Sequence, residues 1–276
     1  MLTTKKVTFK NSEGHTLHGR LNLPENPIAF GIFCHCFTCS KDITAAFVIS
    51  KQLANNGIAM LRFDFTGIGE SSGDFSASSM SHNIDDVLSA NHFLKAHYQE
   101  ADLLIGHSLG GLTSLYASQK LNNLKGIVTL NAPYTTKQTV GRFDQPLADV
   151  THRGFGNLDV MGKKYKVNMT FLEDAKKYFD LTVTELPAPL LNLHAINDDV
   201  IPFHHAAIIM NTIQSPTQLG PMPSANHILN NREHCIKIAD YITQWYKTLK
   251  TQLWMKKSYW FCVFMCIINC IDVVIF

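Results

Sequence analysis

The chain has 276 residues, 46% of them hydrophobic and 17% charged, enough to bury one sizeable core as a single α/β domain of this length does. With a formal net charge of +2, no basic stripe and no helix-turn-helix pattern, nucleic acid is excluded as an expected partner. The first residues, 1–6, lack the apolar stretch of a signal peptide, so the expected location is cytoplasmic.

Two strands are predicted first, at residues 6–10 and 16–23, turning at Ser12-Glu13-Gly14. Residues 28–34 read as a buried strand, 45–56 as a helix stopped by Gly57, and 58–65 as another buried strand. A helix over 82–98 precedes strands at 101–106 and 126–130. From Ile28 onward strand and helix alternate, which implies an α/β fold with a mostly parallel central sheet flanked by helices. Residues 133–187 interrupt this rhythm with a hairpin at 158–167, around Met161-Gly162-Lys163-Lys164, and a helix near 171–179. An insertion of that length reads as a lid shaping substrate access, or else as plain structure. Its Phe143, Phe155 and Phe179 hint at an apolar acyl group. The strand at 216–222 holds Gly220 and Pro221, so it belongs at a sheet edge. A helix over 231–250 completes a domain spanning 1–250.

Residues 251–276 form a hydrophobic tail of different composition. Residues 258–276 are nearly all apolar or aromatic and follow Lys256-Lys257, so they are long enough to span a bilayer with Trp254, Tyr259 and Trp260 at the interface. Asp272 argues mildly against a span. An interfacial tail, or an extension with no selected role, are the alternatives.

The chemistry concentrates at Gly106-His107-Ser108-Leu109-Gly110, between the apolar run 103–105 and the helix-forming run 112–121. Strand, glycine-flanked serine and helix are the parts of a nucleophile elbow. Its helix N-terminus favours negative charge developing beside the serine. A serine nucleophile needs a base and an acid, and in this architecture they follow in the order Ser, Asp, His. Asp198 lies just past an apolar strand at 190–194, and His227 lies in the loop before the last helix. Both are where open α/β sheets gather functional loops. The expected roles are Ser108 as nucleophile, His227 as general base and Asp198 as the group orienting the imidazole. Asp199 is the competing acid. The spacing from His194 through Val200 to Pro202 resembles that of hydrolase acid loops and favours Asp198, with His194 structural. Two backbone donors complete the machinery: the N–H of Leu109, and the N–H of Phe37 in the loop after strand 28–34. No cofactor or metal is called for. The implied ligand is a small-molecule acyl substrate.

Seven cysteines are present, with a C-x-x-C at Cys36 and Cys39. An odd count without a signal peptide argues against a disulfide framework and for a reducing compartment. A zinc site lacks a second C-x-x-C, and a thioredoxin-type motif should open a helix in a different setting. The expected role of these cysteines is small-residue packing in the oxyanion loop.

The serine elbow, the Asp198 and His227 loops, and the turn segment 64–75 together resemble the α/β-hydrolase superfamily. The segments His35-Cys36-Phe37-Thr38-Cys39, 106–111 and Phe171-Leu172-Glu173-Asp174 look like the bacterial hydrolase module often fused to an OsmC-type domain. The likeness covers roughly residues 1–250. It departs at Asn226, where an aspartate is common, and at Thr66, where many relatives have arginine. Asp64 and the glycines after it read as turn structure. No OsmC-type domain follows in this chain, so such a partner would be a separate protein. The resemblance implies a serine hydrolase cleaving an ester, thioester or amide through an acyl-enzyme. Acyl transfer to another acceptor such as peroxide, and a non-catalytic hydrolase-fold partner module, are the alternatives.

Overall fold

The structure, a computed structural model, describes residues 1–137, 144–160 and 162–258. An antiparallel pair, β1 (Thr3–Lys10) and β2 (Thr16–Leu23), leads into β3 (Ala29–Cys34), α1 (Thr44–Asn55), β4 (Ile58–Phe63) and α2 (Met80–His97). The chain continues through β5 (Leu103–His107), α3 (Leu109–Ser118) and β6 (Gly126–Leu130). The insertion carries α4 (Asp144–Arg153), β7 (Phe155–Val160), β8 (Lys163–Asn168) and α5 (Met169–Lys176). The closing elements are β9 (Leu190–Ala195), α6 (His204–Thr212), β10 (Thr217–Met222) and α7 (Arg232–Ser258). The main sheet runs β1-β2-β4-β3-β5-β6-β9-β10 and is parallel from β4 onward. This is the α/β-hydrolase fold.

The inner strands lie under helices on both faces, so their sequences are apolar on both sides of the pleat. Successive residues divide between two cores. Phe30 and Ile32 of β3 and Leu104 of β5 join α2 and α3 through Val87, Leu94, Leu112 and Leu115. Phe33 and Ile105 on the other face meet Ile49 and Leu53 of α1 and Ile238 and Ile242 of α7. Each fully buried aliphatic side chain contributes about 2 kcal/mol of apolar transfer, before the entropy of ordering the chain is subtracted. β10 is the edge strand, paired with β9 alone. At the edge the N–H that Pro221 lacks is not required. α7 runs eight residues past its expected end, because no glycine or proline stops it between Lys250 and Ser258.

The insertion contains the expected hairpin, β7 pairing antiparallel with β8. It also has a small core of its own, built from Val150, Leu158, Val167, Phe171 and Leu172. Of the three insertion phenylalanines singled out from sequence, Phe143 lies outside the described residues. Phe155 is exposed, with the Lys166 ammonium 4.6 Å over its ring, and the Lys137 ammonium lies 5.4 Å over Phe179. Phe37 and Phe75 of the main domain pack against Phe171 and Tyr165 of the insertion, and Tyr116 against Tyr178. The expectation of a membrane span falls on residues 259–276, outside the described residues. Among the described residues no helix is long and apolar enough to cross a membrane.

Candidate active site

β5 ends at the elbow, where Ser108 adopts φ 54° and ψ −124°, a backbone region costly for any side chain but glycine's. Its N–H donates to Leu130 O at 2.8 Å, tying the turn to β6. The flanking glycines are required by proximity. A Cβ on Gly106 would lie 2.1 Å from Gly110 O, and one on Gly110 would lie 2.3 Å from Cys34 O. α3 therefore starts against the end of β3, which brings Leu109 beside the loop that carries Phe37. As the first residue of α3, Leu109 has an N–H with no intrahelical acceptor.

The structure brings Ser108, His227 and Asp198 together, and all three are buried. His227 Nε2 lies 3.1 Å from Ser108 Oγ, and His227 Nδ1 lies 2.8 Å from Asp198 Oδ2. A carboxylate can only accept, so Nδ1 carries the proton and Nε2 is left to accept from the serine hydroxyl. Burial alone would raise the Asp198 pKa. The hydrogen bond and charge of His227, with the N–H groups of Ile201 and Val200, hold it below the usual carboxylate range. Asp198 Oδ1 accepts those two N–H groups at 2.7 and 2.8 Å. Asp199 is exposed. His194 Nε2 donates to Ile201 O at 2.8 Å and stands 3.8 Å from Asp198. Burial lowers its pKa, so it is a neutral brace of the acid loop.

His227 is held through its backbone. His227 O accepts from His107 Nε2 at 2.7 Å and from Asn131 Nδ2 at 3.0 Å. Asn131 also donates to Asn226 O at 3.1 Å, and its Oδ1 accepts from Ala195 N–H at 2.8 Å. One asparagine just past β6, at φ 50°, therefore fastens the His227 loop to the end of β9, which leads to Asp198. Burial pushes the His107 pKa down to about 3, with the His227 charge adding to the effect, so this donor is neutral. His107 fills a variable position inside the elbow pentapeptide and Asn131 belongs to no motif, so the motif alone assigns neither of them this role. Asparagine's tolerance of the left-handed region is the one available signal.

The Phe37 loop is pinned at both ends. His35 Nε2 accepts from Phe65 N–H at 3.2 Å, so Nδ1 is the protonated nitrogen and donates to Cys36 O at 2.8 Å. Burial lowers the His35 pKa and keeps it neutral. Cys36 O and Phe37 N–H belong to one planar trans peptide, so fixing the carbonyl fixes the direction of the N–H. At the other end, buried Lys41 donates from its backbone to Asp64 Oδ1 at 2.7 Å and from Nζ to Asp64 Oδ2 at 2.8 Å. Lys41 Nζ also meets Asp42 at 3.0 Å and Glu70 at 2.7 Å. Asp64 thus does more than shape the glycine turn read from sequence: it holds the loop by a buried ion pair. Such a pair contributes little net stability, but it fixes geometry.

The cysteines require a correction. Cys36 and Cys39 are joined by a disulfide, where free packing residues were expected. The physical reason is local. The turn closed by Cys39 N–H to Cys36 O at 3.1 Å brings the two Cα atoms to 5.2 Å, within bonding range, whatever the total cysteine count. Cys34 and Cys235 are free and buried. Among the described residues no cluster of His, Cys, Asp or Glu is arranged to hold a metal ion.

A pocket lined by His35, Phe37, Phe65, Phe75, Asn83 and Leu109 adjoins both candidate backbone donors. The arrangement can take a proton from a serine, direct the resulting alkoxide at a carbonyl, and receive the oxyanion on backbone amides.

Residues 26–181 match the family model described as Serine aminopeptidase, S33. The chain is similar to the esterase domain of a Rhodothermus marinus protein, at 31% identity and a TM-score of 0.68, covering 88% of this chain and 97% of that one. It is 28% identical over 185 residues to the human mitochondrial palmitoyl-protein thioesterase ABHD10, covering 62% of this chain and 58% of that protein. The mouse alpha/beta hydrolase domain-containing protein 10 superposes with a TM-score of 0.73 at 18% identity, over 89% of this chain and 99% of that structure. The last likeness is one of fold.

Proposed function

Since this chain belongs to the Serine aminopeptidase, S33, family of α/β-hydrolases, with esterase and thioesterase relatives, we propose that it cleaves a carboxylic ester or thioester through an acyl-enzyme on Ser108. The observation that carries this reading is the relay Asp198 Oδ2–His227 Nδ1–H and His227 Nε2–Ser108 Oγ, at 2.8 and 3.1 Å. His227 takes the serine proton as Oγ attacks the acyl carbon, and ionised Asp198 stabilises the imidazolium that forms. The tetrahedral oxyanion is received by the N–H groups of Leu109 and Phe37. His227 then returns the proton to the departing alcohol or thiol, leaving Ser108 acylated. Water enters, loses a proton to His227 and attacks the acyl carbon; the bond to Ser108 Oγ breaks as His227 returns the proton to Oγ, and the acid leaves.

The aromatic surroundings of Phe37, Phe65 and Phe75 support an apolar acyl group, and the insertion is read as its lid. The test is reaction with a fluorophosphonate, mapped by mass spectrometry, followed by a screen of p-nitrophenyl esters and acyl thioesters of increasing chain length. Label on Ser108, abolished in Ser108→Ala, is the expected result. Label on another residue, or none, overturns the reading.

A further inference from the structure

We propose that the Cys36–Cys39 disulfide is a reducible latch on the loop presenting the Phe37 N–H, so that a dithiol reductant slows acylation of Ser108 and an oxidised dithiol restores it. The proposal rests on Ser108 and Phe37 having the roles given above.

Position carries the inference. The loop leaves β3 between two buried anchors, His35 and Lys41, and the disulfide bridges the turn between them. Cys36 contributes the carbonyl whose peptide plane sets the Phe37 N–H, and that carbonyl is the acceptor for both His35 Nδ1–H and Cys39 N–H. Thr38, between Phe37 and Cys39, is held at φ 58°, a region that a β-branched residue leaves readily when released. Without the sulfur bridge, what closes the turn is the 3.1 Å hydrogen bond from Cys39 to Cys36. The same four residues also hold the insertion. Tyr165 of β8 donates its hydroxyl to Thr38 O at 3.1 Å, and the Phe37 ring packs 5.8 Å from Phe75 and 5.9 Å from Phe171, centroid to centroid. Opening the bridge therefore loosens a backbone donor and an anchor of the insertion at once.

Access fits the chemistry. Cys39 is half-buried and Cys36 is buried, so a thiolate arriving from solvent meets the Cys39 sulfur. Attack there forms a mixed disulfide and breaks the Cys36–Cys39 bond, and Cys36 departs as a thiolate. The reagent's second thiolate then attacks its own sulfur in the mixed disulfide and releases Cys39. Two electrons and two protons pass to the protein, and the dithiol leaves as a cyclic disulfide. The reverse sequence reforms the bridge. Cys34 and Cys235 are buried, and burial holds the Cys34 thiol up at about 12, so neither competes in this exchange.

The full chain is equilibrated with dithiothreitol or with its oxidised cyclic form, alkylated, and mapped by peptide mass to score Cys36 and Cys39. Thiols cleave activated esters directly, so the rate compared is fluorophosphonate labelling of Ser108. The reduced protein is expected to label at least tenfold more slowly and to regain its rate on reoxidation. Loss of a whole oxyanion donor costs about 10²–10³-fold, and Leu109 remains. A Cys36→Ser/Cys39→Ser double variant, its fold checked by circular dichroism, is expected to be slow and indifferent to dithiothreitol. If it fails to fold, the oxidised and reduced wild type still decide the matter. Equal labelling rates in the two states overturn the latch while leaving Ser108 as nucleophile. So does dithiothreitol sensitivity that survives in the double variant, or a pair that stays reduced in the oxidised reagent. No label on Ser108 in either state removes the nucleophile assignment, and the latch with it.

Discussion

Replacing Asp198 by asparagine should leave the fold in place and stop the chemistry, for a reason visible in its hydrogen bonds. Oδ1 accepts two backbone N–H groups, from Val200 and Ile201, at 2.8 and 2.7 Å. The substituted asparagine must keep its amide oxygen there, because turning the NH₂ toward two N–H donors would orphan both at about 1–3 kcal/mol each. The NH₂ therefore faces His227 Nδ1, now 2.8 Å from a donor. His227 answers by holding its proton on Nε2, where it can no longer accept from Ser108. Loss of the correct tautomer in a Ser-His-Asp relay costs about 10⁴ in kcat, or about 5.5 kcal/mol of transition-state stabilisation. Steady-state hydrolysis of p-nitrophenyl acetate measures this, with urea unfolding as the control for folding. Asp199→Asn, on an exposed side chain, should change kcat less than threefold. A loss under tenfold in Asp198→Asn, or a larger loss in Asp199→Asn, would show that the acid has been misassigned.

Ser108→Ala should lower kcat by about 10⁶ with an unchanged urea midpoint, and a drop under tenfold would move the nucleophile elsewhere. Asn131→Asp puts a carboxylate oxygen against the carbonyls of Asn226 and His227, so stability should fall by about 2–4 kcal/mol, and kcat/KM at least tenfold. Wild-type kinetics in a folded Asn131→Asp protein would rule out its hold on the base. His107 has a folded pKa of about 3 against an ordinary 6.5, so the unfolded chain takes the extra proton first as pH falls. Its stability contribution is whole above pH 6.5 and is lost on acidification, by about 2 kcal/mol at pH 5. His107→Gln should flatten the urea-measured decline between pH 6.5 and 5 by that amount, and an unchanged slope would contradict the assignment.

What could be read from the sequence is what obeys a local rule. The strand alternation from Ile28, the elbow at Ser108 and the edge strand marked by Gly220 and Pro221 each follow from residues close together in the chain. Chain order singles out Asp198 and His227, and the fold brings them together with Ser108 from 90 and 119 residues away. The roles of Asn131 and His107 are not legible because their partners are backbone N–H and C=O groups, which leave no mark in the sequence. Lys41 with Asp64 was hidden for a related reason, since two charged residues 23 apart look like ordinary surface until burial pairs them. The Cys36–Cys39 disulfide is not legible in a cysteine count over the whole chain, because a turn of four residues decides it.

The supports around the site share a property that bears on its chemistry. His107, Asn131 and His35 donate to carbonyls beside the base and the Phe37 donor, and all three are uncharged. Asparagine does not titrate, and burial lowers the pKa of both histidines. Lysine in the same places would hold the loops as firmly. A fixed positive charge so near His227 would, however, oppose formation of the imidazolium, and the low dielectric would magnify that effect. The charged brace of the Phe37 loop, Lys41 with Asp64, is a pair of opposite charges and lies at the far end of the loop. The carboxylate of Asp198, 2.8 Å from His227 Nδ1, is then free to stabilise the positive charge expected on the imidazole. A His107→Lys variant separates these ideas. If only anchoring matters, a folded variant keeps its pH–rate profile. If neutrality matters, the acid-side limb of the profile, where His227 loses the ability to accept a proton, moves to lower pH while the maximal rate falls.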